Sequence, residues 1–126
     1  MIIDNDPIYQ LVTKKLLSKS DLPFTTSAYV NGKEALDSLI EKNNSTIKKM
    51  FLLDLDMPIM DGWEFLEAYY NQGLDRNNDF CIYIVTSSIA QEDKNKAKSY
   101  PAVHGYLEKP LSFETINKVI DCCLKS

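Results

Sequence analysis

A single histidine and three cysteines are all that this chain of 126 residues offers as imidazole and thiolate metal ligands. No apolar run in it approaches transmembrane length. Cys81 stands inside an apolar stretch, and Cys122 and Cys123 are adjacent in a helical segment, pointing to different faces. Neither a disulfide framework nor a metal-ligand spacing follows, and this cysteine usage agrees with a reducing compartment. The opening MIIDNDP lacks the features of a signal peptide, so the cytoplasm is the expected location and no membrane contact is implied. An excess of basic charge is missing as well. The net charge is −4 and the pI near 4.9, with lysines scattered through Lys14, Lys15, Lys48, Lys49 and the 94–98 stretch beside acids or polar residues. Binding of nucleic acid by this domain alone is therefore not expected, because phosphate contacts need clustered Lys and Arg. Linkers, internal repeats and low-complexity segments are absent too. With 44% hydrophobic and 25% charged residues the chain is an ordinary globular one, read as a single domain over 1–126.

What is present is an alternation of short oily runs with longer amphipathic stretches. The first strand ends at Asp4, followed by a helix start with Asp6 as N-cap and Pro7 at the first helical position. Ile8, Leu11, Val12 and Leu16 then recur at helical spacing, with Leu17 beside them. Residues 24–29 read as an edge strand. A second helix is capped by Asn31 and has an inner face of Ala35, Leu36, Leu39 and Ile40. Residues 50–53 form a strand too continuously apolar for a sheet wet on one side. A third helix carries Trp63, Phe65, Leu66, Tyr69 and Tyr70, packing residues rather than a cofactor box. Residues 80–85 are a fourth strand. AQEDKNKAKSY (90–100) is a strongly polar helix with only Ala97 as an interior residue. Residues 103–107 are the fifth strand, and a last helix with Ser112 as cap carries Phe113, Ile116, Val119, Ile120 and Cys123. Strict alternation predicts an α/β fold: (βα)5, a doubly wound, flavodoxin-like parallel sheet of five strands with helices on both faces.

In such sheets reactive groups gather at the carboxyl ends of the strands. Asp4, Asp54, Thr86 and Lys109 fall there. Two carboxylates crowded into one pocket need a cation, and a hard divalent ion such as Mg2+ suits a site with one or two carboxylates and room for water. Lys109 adds an ammonium and Thr86 a hydroxyl, with Ser87 as a competitor for that place. A carboxylate so equipped can accept a phosphoryl group, and Asp54, ending the most buried strand, is the nucleophile. Asp61, followed by Gly62, reads as a solvated turn. His104 reads as structural or exposed.

DLDMPIMDG (54–62) resembles the phosphoacceptor loop of two-component response regulator receiver domains, the family of the chemotaxis response regulator. IIDND (2–6), IVTSS (84–88) and GYLEKP (105–110) follow in that family's order, and the match spans essentially the whole chain. The resemblance implies that Asp54 is the aspartyl-phosphate site, Thr86 the hydroxyl that follows the phosphoryl group and Lys109 the salt-bridging lysine before a cis proline. It makes Tyr106 an aromatic switch moving with Thr86. It places Mg2+ at Asp4, Asn5, Asp54 and the carbonyl of Asp56. Asn5 departs from the family, which has a second acid there, so a weakened metal site is expected. Asp56 and Ser88 are expected to tune phosphate lifetime. A sensor histidine kinase or histidine phosphotransfer protein is the implied donor, and a downstream protein or output domain the recipient of the signal. The chain reads as a stand-alone receiver or as a piece of a longer protein.

Two other readings compete. A receiver-like binding module that is never phosphorylated would have Asn5 as the mark of lost metal binding. FLLDLD also resembles the motif of haloacid-dehalogenase-type phosphatases, but Pro58 stands where that family has Thr or Val, and no acidic pair follows the fourth strand. The expected chemistry is self-directed, with Asp54 taking and losing a phosphoryl group, and the chain is not expected to be an enzyme.

Overall fold

The computed structural model describes residues 1–19, 26–41, 49–73, 80–87, 90–101 and 103–123. Its elements alternate as β1 (Ile2–Ile3), α1 (Pro7–Ser18), β2 (Ala28–Tyr29), α2 (Gly32–Glu41), β3 (Lys49–Asp54), α3 (Gly62–Asn71), β4 (Phe80–Thr86), α4 (Gln91–Ala97), β5 (Val103–Glu108) and α5 (Phe113–Cys123). All strand pairings are parallel, in the order β2-β1-β3-β4-β5. The (βα)5 sheet expected from the alternation is thus the fold. Residues 24 and 25 of the expected second strand lie outside the described residues.

β3 shows why the central strands read as unbroken apolar runs. Met50 and Leu52 point into a core completed by Leu17 of α1 and Ile116, Val119 and Ile120 of α5. Phe51 and Leu53 point the other way, onto Ala35, Leu36 and Leu39 of α2 and Phe65, Leu66 and Tyr69 of α3. A strand covered on both faces has no polar side to show. α4 is held more thinly, since Ala97 is its one buried residue, packed with Leu55 and Ile84. Among the described residues no helix is long and apolar enough to cross a membrane.

Some expectations need correction. The stripe Ile8, Leu11 and Val12 does not face the core; Ile8 is 71% and Leu11 56% exposed, and α1 is anchored by Thr13 and Leu17 instead. Ile40, assigned to the inner face of α2, is exposed. Periodicity identifies a helix but not which of two neighbouring stripes meets the sheet. Cys81 is disulfide-bonded, contrary to the reading of the cysteines as unpaired; pairing depends on tertiary proximity, which spacing alone does not reveal.

The loop from β3 to α3 is tightly specified. Asp61 caps α3 through a reciprocal pair: the Glu64 amide donates to Asp61 Oδ1 (2.8 Å), and the Asp61 amide donates to Glu64 Oε1 (3.2 Å). That gives Asp61 a capping role where a mere solvated turn was expected. Gly62 donates its amide to the Leu55 carbonyl at 3.0 Å. A Cβ on Gly62 would stand 2.7 Å from the Asp54 carbonyl oxygen and 3.0 Å from the Leu55 Cα. Backbone cannot yield there as a flexible side chain could. Gly62→Ala is therefore expected to lower stability by about 2 kcal/mol in urea unfolding. An unchanged midpoint would show that the loop is looser than this contact requires.

Candidate phosphoacceptor site

The register sets the site. Ile3 pairs with Leu53, so the residues that follow them, Asp4 and Asp54, come level at the ends of neighbouring strands. Sequence order reverses at this β1–β3 junction, where open α/β sheets place their ligands. Asp54 pairs with Val85, and Thr86 comes next on β4. Thr86 in turn pairs with Glu108, and the Lys109 amide donates to the Thr86 carbonyl at 2.8 Å. The Lys109–Pro110 bond is cis, as the resemblance implied. Four residues distant in sequence are thereby set at adjoining strand ends by hydrogen-bonded pairing.

Asp4, Asp54 and Thr86 are all buried. Lys109 Nζ lies 2.9 Å from Asp4 Oδ2 and 3.6 Å from Asp54 Oδ2, the second an ion pair longer than a good hydrogen bond. Asp4 Oδ1 accepts from the Asp6 amide (2.9 Å), and Asp54 Oδ1 accepts weakly from the Asp56 amide (3.4 Å). Burial, and then the charge of Asp4, push the Asp54 carboxyl up to about 6; Lys109 and the Asp56 amide oppose this without cancelling it. For Lys109 burial works against the charged form, but its bond to Asp4 and the two nearby carboxylates together carry its pKa above the ordinary lysine value. With all three groups ionised the pocket is short of one positive charge.

Asp6 is committed to α1, accepting from the Ile8 amide at 2.9 Å. The side chains of Asn5 and Asp56 are exposed at the rim. Ser87 is also exposed, so the buried hydroxyl at this strand end is that of Thr86. Ser88 lies outside the described residues. Tyr106 is half-buried beside Leu55, Ile84 and Ala97, with Lys94 Nζ 5.6 Å from its ring centroid. His104 is exposed, its ring centroid 6.2 Å from that of Tyr83.

Among the described residues no three His, Cys, Asp or Glu side chains form a metal cluster. A softer, fully caged ion is poorly served by such a set. The uncompensated charge of the Asp4–Asp54 pair nevertheless fits a hard divalent cation that keeps much of its water. Asp4, Asp54, the Asn5 amide oxygen and the Asp56 carbonyl are the residues that would hold it.

Two residues escaped the reading of the motifs. The Gln10 side chain donates to the Asp4 carbonyl (2.7 Å) and the Tyr29 carbonyl (3.0 Å), tying the ends of β1 and β2 together. The Tyr9 ring lies under Lys109, 4.2 Å from Nζ to centroid. The available signal was position: both sit early in a helix that begins at the acidic strand end.

The family model for the response regulator receiver domain matches residues 1–121. This chain belongs to that family, the receiver domains of two-component systems. It is 34% identical over 93 residues to "Probable methanogenesis regulatory protein FilR2" of Methanothrix harundinacea, covering 72% of this chain and 58% of that protein. It is 29% identical to "Two-component response regulator 24" of Arabidopsis thaliana, covering 95% of this chain and 77% of that protein. Among solved structures, chemotaxis protein CheY4 of Vibrio cholerae superposes with a TM-score of 0.76 at 26% identity, covering 98% of this chain and 95% of that one.

The raised Asp54 pKa has a thermodynamic consequence in the metal-free protein. Protonation is favoured in the fold relative to the unfolded chain, so stability is greatest below the ordinary value of 3.8 and is lost as pH rises through about 6. The loss is on the order of 1–3 kcal/mol. Asp54→Asn is expected to raise the urea midpoint at pH 7.5 and to leave it nearly unchanged at about pH 3, below the unfolded-state value. An equal effect at both values would mean that the carboxylate is not strained by its surroundings.

Proposed function

We infer that Asp54 accepts a phosphoryl group from a phosphohistidine on a kinase or phosphotransfer protein, and that this chain relays the signal by protein contact. The observation that carries this reading is the buried pair of level carboxylates with one ammonium between them. An Asp54 carboxylate oxygen attacks phosphorus in line, the phosphorus–nitrogen bond to the donor imidazole breaks, and the imidazole leaves with the electron pair and takes up a proton. Lys109 neutralises charge on the transferred oxygens, and the Thr86 hydroxyl would turn to donate to one of them. Bound Mg2+ would offset the remaining negative charge; Asp4, Asp54, Asn5 and the Asp56 carbonyl are its proposed ligands. Hydrolysis returns the free carboxylate and inorganic phosphate. The activity is thus self-directed, without turnover of an external substrate.

Output is assigned to α4 and the β5 residue Tyr106. α4 has little buried apolar surface, and such elements open at low free energy. Its cations lie on aromatic rings, Lys94 over Tyr106 and Lys96 over Trp63 at 4.8 Å. A shift at Thr86 that moves Tyr106 would disturb the first of these contacts directly. The partner engaged by this surface is a downstream protein or a further domain.

The reading is tested with a small-molecule phosphodonor and Mg2+. Wild type is expected to incorporate phosphate, Asp54→Ala to incorporate none, and chelation of the metal to abolish labelling. Labelling that survives Asp54→Ala would assign the acceptor elsewhere. A protein that is never labelled would favour the non-phosphorylated binding module. Restoring the charge with Asn5→Asp is expected to tighten Mg2+ binding by about tenfold in calorimetry; equal affinities would show that position 5 does not reach the ion.

A further inference from the structure

Lys109 is held by more than its two acids. An ammonium has three N–H bonds. Asp4 and Asp54 lie in two directions, and the face of Tyr9 approaches Nζ to 4.2 Å as a third neighbour. The Lys109 side chain is only 8% exposed, leaving little access for water. An aromatic face attracts a cation through its quadrupole yet brings no formal charge. A carboxylate in its place would neutralise the lysine, and water would let it wander. The ring is itself fixed from below. Tyr9 lies in the first turn of α1, begun by Pro7 and the Asp6 cap, and its neighbour Gln10 bonds the carbonyls of Asp4 and Tyr29.

We propose that Tyr9 is a positioning residue whose ring keeps the Lys109 ammonium dry and lodged between Asp4 and Asp54, ready for the arriving phosphoryl oxygens. The effect on phosphorylation rests on Asp54 being the acceptor; the resting geometry does not. Tyr9 also sets a balance. An ammonium fixed between the acids competes with a divalent cation for the same negative charge, so a loosened lysine should ease metal binding while slowing phosphoryl transfer. A packing defect would weaken both.

Tyr9→Phe keeps the ring and Tyr9→Leu removes it, and three measurements separate them. In the metal-free protein the ring current should displace the Lys109 Cε protons upfield in wild type and Tyr9→Phe, and Tyr9→Leu should return them to ordinary lysine positions. Calorimetry should show Tyr9→Leu binding Mg2+ about threefold more tightly, because the competing cation has withdrawn. Labelling by a small-molecule phosphodonor at saturating Mg2+ should slow about tenfold in Tyr9→Leu and stay near wild type in Tyr9→Phe. Unchanged Lys109 shifts in Tyr9→Leu, or a Phe variant as impaired as the Leu variant, would overturn the proposal. So would weaker metal binding accompanied by slower labelling. Should wild type fail to label at all, the acceptor assignment falls, and the proton shifts still decide whether Tyr9 holds Lys109.

Discussion

Two carboxylates and one ammonium, buried together at the ends of three strands, set the terms for everything around them. Removing such groups from water is expensive, and a lone pair of carboxylates at this depth would simply share a proton. Lys109 prevents that only in part. It bonds Asp4 closely and reaches Asp54 at 3.6 Å, and Asp54 is left with its pKa raised to about 6. Near neutral pH the carboxylate is therefore mostly charged, and held in that state against its surroundings. Under the proposed function a phosphoryl group would add still more negative charge at the same point, so acceptance of phosphate and demand for a second cation would share one electrostatic cause.

The fold serves this cluster by rigidity. Parallel pairing puts Asp4 beside Asp54 and links Lys109 to Thr86 through the backbone, so none of the four has to be positioned by a long flexible loop. Below them β3 is apolar on both faces, which fixes its height in the molecule. Beyond them Gly62 lets the start of α3 press against the Asp54 and Leu55 backbone, and the Asp61–Glu64 caps close the turn. The same turn holds Ile59 at a φ of 67°, a left-handed conformation that a β-branched residue resists. Strain next to a site is tolerated when its neighbours over-determine the chain path, and here they do.

The strands, their order and the acids at their ends were legible in the sequence because each has a local signature. Apolar runs mark β3 and β4, Asp6-Pro7 marks the start of α1, and DLDMPIMDG and GYLEKP mark the loops. What was not legible depends on which parts of the chain meet. Ile8, Leu11 and Val12 announce a helix correctly and its buried face wrongly, because Thr13 and Leu17 occupy the neighbouring stripe that reaches the sheet. Tyr9 and Lys109 are a hundred positions apart and their contact has no motif. Gln10 looks like any surface glutamine until its amide is seen bridging two strand ends. The bond at Cys81 is of the same kind, a tertiary fact without a sequence rule.

Contacts of differing strength also divide the molecule. Around Asp54 the links are strand pairing and buried ion pairs, which break only at large cost. Around α4 they are the buried Ala97 within the helix, two lysines over aromatic rings, and Tyr100 just beyond it, which is buried in the main core and donates its hydroxyl to Glu67 at 2.6 Å. Trp63 stacks on Tyr100 with centroids 6.0 Å apart, adding an aromatic tie between α3 and the end of α4. A cation–ring contact or a single hydrogen bond contributes about 1 kcal/mol. Under the proposed function, a charge change at Asp54 would reorganise the α4 region without straining the sheet, because an equilibrium separated by only a few such contacts is one that a single phosphoryl group can tip.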